Sequence, residues 1–150
     1  MKSGKSITGI ILLLLSFLTV QTYAQRTSFD KKEEAIIRHN DQVFYHAKAM
    51  ERDYSKSGNI FNHKSYLKHA KAIKTHTKKA KAYTNKLLNE EKYVKEKETK
   101  FNGIIEHYDK ILQEEFQIEE ELGMPTSDRH KLASHLSVIL DELEAIKKKI

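Results

Sequence analysis

From Ile36 onward, apolar residues recur at alternating steps of four and three with polar side chains between them, the period that keeps one face of a helix inward. The first stripe is Ile36, Asn40, Val43, Ala47, Met50, Tyr54, with Ser28 or Asp30 as its cap and a break at Ser57-Gly58. Asn62 offers an N-cap for a second stripe, Tyr66, Ala70, Ile73, Thr77, Ala80, Thr84, Leu87, which is small and weakly apolar. A third, Phe101, Ile104, Tyr108, Ile111, Glu115, Ile118, Leu122, stops at Gly123-Met124-Pro125, a strong terminator. Ser127 or Asp128 opens the fourth, Leu132, Leu136, Ile139, Leu143, Ile146, Ile150, the most regular of them.

The join between the second and third stripes contains neither Gly nor Pro. A shift in the apolar frame after Leu87 and the polar stretch Glu90 to Lys100 place a hairpin near Asn89. Four helices of similar length follow, and the fold expected is an all-α, antiparallel up-down four-helix bundle. The alternative is an extended helical hairpin or coiled coil with one long central helix from Asn62 to Leu122, about 90 Å long, or a break at Asn102-Gly103.

Ahead of these stripes the pattern changes. Ile7 to Val20 is almost uniformly apolar, follows Lys2 and Lys5, and leads to Thr22-Tyr23-Ala24, which reads as a signal peptide over residues 1–24 with cleavage before Gln25. The run is shorter than the roughly 20 residues of a spanning helix. Residues 25–150 then form a single helical-bundle domain, placed in the periplasm or secreted. The chain has no cysteine, which excludes disulfides, thiolate metal sites and a lipoprotein anchor, and points to a bacterial periplasm. No Asn is followed two positions on by Ser or Thr, so N-glycosylation signals are absent.

Net charge is +6, and the sign alternates by helix. The second stripe carries Lys64, Lys68, Lys71, Lys74, Lys78, Lys79, Lys81 and Lys86 without an acid, whereas the third ends in Glu114, Glu115, Glu119, Glu120, Glu121. In an up-down bundle these ends meet, and the lysines are partly neutralised within the molecule. Nucleic acid is not expected as a ligand, because the face is Lys rather than Arg and lacks interleaved aromatics. Contact with anionic lipid through Lys64, Lys68, Lys71 and Lys78 stays open, as does a homo-oligomer. Tyr45-His46-Ala47-Lys48-Ala49-Met50 resembles Lys68-His69-Ala70-Lys71-Ala72-Ile73, either a duplicated tight hairpin or chance in a Lys- and Ala-rich chain.

The histidines form the unusual constellation. His39, His46, His69, His76, His107 and His135 all precede a core position by one residue, at the edge of the helical core face. If the first two helices pair antiparallel about Ser57-Gly58, His39 falls opposite His76 and His46 opposite His69, so that two pairs line one seam. These four are the candidate metal ligands, for a transition metal or for haem with Met50 or Met124 as a second axial ligand, and also a candidate pH sensor. No two histidines have the three- or four-residue spacing for chelation from one helix, and the ordinary reading is amphipathic packing at the core edge. Catalysis has no residues to name: no thiol, no Gly-rich phosphate loop, and carboxylates in surface clusters. The expectation is a noncatalytic exported bundle that binds protein, as an accessory or structural subunit of a cell-envelope assembly or a periplasmic binding protein. The alternative is a histidine-lined metal or haem carrier or sensor.

Overall fold

The computed structural model describes residues 28–53, 62–91 and 95–150, and forms no strand among them. Helix α1 covers residues 28–53, α2 His63–Glu91, α3 Lys95–Gly123 and α4 Arg129–Lys147. The chain is an all-α four-helix bundle. Lys74 pairs with Glu119 and Lys81 with Asp109, so sequence number falls along α3 as it rises along α2, as antiparallel helices require. The same inversion relates α3 to α4 through Glu114 with His135 and His107 with Glu142. A single long central helix is thereby excluded, because α2 folds back on α3.

The stripes read from the sequence are the core. On α2 and α3 every residue of the second and third stripes is buried, and on α1 the stripe is buried from Ile36 to Met50. Each fully buried Leu, Ile or Val contributes about 1.5–3 kcal/mol from apolar surface removed from water. Helix α1 closes the bundle by touching the three others. Its Asn40 Oδ1 accepts the Tyr108 hydroxyl of α3 at 2.8 Å, its Phe44 ring lies 4.6 Å from the Lys147 ammonium of α4, and its histidines meet α2.

The ends follow from local hydrogen bonding. Asn62 Oδ1 accepts the Ser65 amide at 3.0 Å at the head of α2, and Asp128, not Ser127, caps α4 by accepting the His130 and Lys131 amides. Those amides hold the Asp128 carboxyl below its ordinary range, since they favour its ionised form. Ser28 and Asp30 already lie within α1, so neither is its cap. Helix α2 runs on past Asn89 to Glu91, and residues 92–94 lie outside the described residues. Gly123 ends α3 without a left-handed φ. The stop belongs to Pro125, whose ring disfavours helix at Met124. Ile150, the last residue of the fourth stripe, is 37 % exposed because the helix has already ended at Lys147. Tyr54 and Ser57-Gly58 lie outside the described residues. Among the described residues no helix is long and apolar enough to cross a membrane.

Candidate functional site

The antiparallel register of α1 and α2 brings the four candidate histidines together in the pairs expected. His39 Nδ1 lies 3.0 Å from His76 Nδ1, and His46 Nδ1 lies 2.9 Å from His69 Nδ1. His46 also stacks on His76, with ring centroids 6.0 Å apart and planes 25° from parallel, so the two pairs form one continuous ladder. Tyr83 stacks on His39 at one end, and Tyr45 meets His46 edge-on.

The contact within each pair is a hydrogen bond. Ring centroids are 5.2 Å apart in the first pair and 5.1 Å in the second, in each case 2.2 Å more than the nitrogen separation. That excess is roughly two imidazole ring radii, so the in-plane direction of each Nδ1 points almost straight at its partner. One ring donates through Nδ1–H, and the other accepts at a bare Nδ1 and carries its proton on Nε2. Two nitrogens ligating one metal would aim their lone pairs at a third point instead. Among the described residues, no group of three or more His, Cys, Asp or Glu side chains is arranged to hold a metal ion.

All four imidazoles are held below the usual histidine pKa, in each case chiefly by burial. Neighbouring positive charge adds to this: His76, Arg38 and Lys79 act on His39, and His69, His76 and Lys68 on His46. Lys79 acts on His76. Asp53 opposes the trend at His69, where Lys68 and Arg52 reinforce it.

The other two core-edge histidines have different partners. His107 Nδ1 contacts a Glu142 carboxylate oxygen, and His135 Nδ1 lies 2.6 Å from Glu114 Oε2. These pairs went unforeseen, although the device that pairs the first two helices, folding the chain about a turn, finds them when applied about Pro125.

Polar groups also enter the core. Glu115, in an apolar stripe, is fully buried, with Lys74 Nζ 3.3 Å from Oε2. Burial and the nearby Glu119 charge push its pKa up to about 7, against the pull of Lys74. Lys74 is raised in turn, first by its hydrogen bond to Glu119. Burial drives the Tyr108 hydroxyl up to about 12, so it stays a donor.

On the outside, α3 neutralises only Lys74 and Lys81 of the eight α2 lysines. Lys64, Lys68, Lys71, Lys78, Lys79 and Lys86 are exposed and have no carboxylate partner among the described residues. Between α1 and α4, a groove of about 330 Å³ is lined by Glu33, Ile37, Asn40, Asp41, Lys147 and Ile150, with Ile37 47 % exposed. No family model matches the chain, and neither a curated protein nor a solved structure matches it.

Proposed function

We propose that this is a noncatalytic, exported helical bundle that acts by binding, as an accessory or structural subunit of a bacterial cell-envelope assembly. The observation that carries the reading is the outer face of α2, where six exposed lysines lack an acidic partner among the described residues. Such a face is suited to anionic head groups through Lys64, Lys68, Lys71 and Lys78, each basic residue near an anionic membrane adding about 1 kcal/mol. The groove rimmed by Ile37 and Ile150 lies between α1 and α4 and remains for a protein partner. A photo-crosslinker placed at Ile37 in the native envelope should capture one discrete protein, and charge reversal at the four lysines should release the bundle from membranes. Absence of both capture and release would sink the proposal.

A second reading has one observation in its favour, the gathering of His39, His46, His69 and His76 on one seam. A transition metal or haem there would have to displace the hydrogen bonds and turn the rings, with the imidazoles neutral as ligands. Stoichiometric metal by elemental analysis, or a Soret band, on protein isolated from its native source would establish it.

A further inference from the structure

The histidine ladder lies within the electrostatic reach of a basic surface. The charged groups acting on it come from both helices that form the seam: Arg38, Arg52 and Asp53 on α1, and Lys68 and Lys79 on α2. Four of these five are positive. Tyr45, 55 % exposed and packed edge-on against His46, adds an amphipathic ring to the same surface, the kind of side chain that settles at head-group depth.

The pair geometry dictates how this surface gains charge. In a neutral pair one Nδ1–H already occupies the space between the nitrogens, and the donor ring has a bare Nε2. A first added proton goes to that Nε2, and the Nδ1–H···Nδ1 bond survives as a charge-assisted one. A second proton must enter the bare Nδ1 of the acceptor, and then two N–H groups face each other across 3.0 or 2.9 Å. Each pair therefore takes one proton with the seam intact and a second only by opening it. Because the pairs titrate as units, two charges arrive before any disruption.

We infer that the face spanning the α1–α2 seam docks on an anionic phospholipid bilayer, and that acidification tightens the hold as each histidine pair takes up one proton without losing its hydrogen bond. This rests on the lipid contact proposed above for the lysines, and adds its regulation. Linkage makes the effect reciprocal, since a surface that prefers the protonated seam must also favour its protonation. At roughly fivefold in binding per added charge near the membrane, two charges amount to about twenty-five-fold.

The test uses purified protein with sedimenting vesicles of phosphatidylcholine alone or with one part in four phosphatidylglycerol, at pH 7.5 and 5.5, with helicity followed by circular dichroism. Expected is selective binding to the anionic vesicles at pH 7.5, tightening at pH 5.5 toward about twenty-five-fold as both pairs fill. Replacing His39, His46, His69 and His76 by Gln should leave binding at pH 7.5 in place and abolish the gain. Equal wild-type binding at the two pH values, or a gain retained in the Gln variant, overturns the inference while leaving the lysine contact standing. No preference for anionic vesicles at either pH overturns both. Soluble polyphosphate that competes fully at charge parity overturns the bilayer as the occupant. Should the fourfold variant lose its helicity, ¹⁵N-imidazole spectra of wild type decide: uptake of two protons with the pair bonds retained supports the inference, and loss of those bonds with the first proton refutes it.

Discussion

The bundle has two seams built from the same residue at the same helical position, with opposite chemistry. Across α1 and α2, histidine meets histidine under a basic surface; across α3 and α4, histidine meets glutamate. A carboxylate can accept an imidazole N–H whether or not the ring carries a charge. A second imidazole accepts only while one nitrogen stays bare, so each pair of the first seam holds one added proton and opens with a second. Heptad position sets where a histidine sits, and the residue across the interface sets what protons do to it.

The sharpest challenge to this contrast is whether the two halves stand alone. Ile73→Ala on α2 and Ile139→Ala on α4 each remove a fully buried side chain and should cost about 2–5 kcal/mol. Each should lower a single melting transition, because α1 and α3 share the buried Asn40–Tyr108 bond. Two separate transitions in calorimetry would break the bundle into independent hairpins.

Next in size is Glu115. Its folded pKa of about 7 exceeds the ordinary 4.5, so the contribution to stability is full below about pH 4.5 and is lost as pH rises through 7. Glu115→Gln should therefore stabilise by roughly 1–3 kcal/mol at pH 8 and change little at pH 4.5. Urea midpoints at the two pH values check this, and an equal shift at both would assign the effect to packing.

The histidine seam runs the other way. Its folded pKa values lie below the unfolded value of 6.5, so its stability is present above pH 6.5 and falls as pH drops toward the folded values. His46→Gln with His69→Gln should flatten the loss between pH 7.5 and 5 by about 1 kcal/mol or less. Parallel slopes for the two proteins would show that the pair does not govern the acid response.

Smallest is a conversion of one seam into the other. His69→Glu places a carboxylate against His46, reproducing the arrangement of α3 and α4, and should reverse that pair's acid dependence by a few tenths of a kcal/mol. A variant as acid-sensitive as wild type would refute the claim that the partner decides.

Much of this was legible in the chain because a strict three-and-four spacing leaves few ways to turn a helix. Tyr66 through Leu87 and Phe101 through Leu122 are buried as the stripes require, polar members included. The histidine pairs were legible because a short connection constrains register. What escaped depended on partners or on ends. Lys74 reaches Glu115 only through the α2–α3 register, and the turn between these helices, lacking Gly and Pro, carries no local mark. Ile150 fits its stripe, yet periodicity says nothing of where the backbone stops being helical.

The paired histidines also carry a form of disorder that static packing hides. In each neutral pair either ring can be the donor, so the proton has two arrangements, as in a link of ice. A twofold choice of equal energy is worth about 0.4 kcal/mol of residual entropy. Because His46 stacks on His76, the choice in one pair biases the dipole felt by the other, and the ladder has a collective polarity rather than two independent bits. Adding a proton to either pair keeps the two arrangements, since both Nε2 atoms are then protonated and the bridging proton can sit on either Nδ1, so exchange becomes a single shift across the bridge. Acidification of this seam thus changes how its protons exchange as well as how much charge it holds.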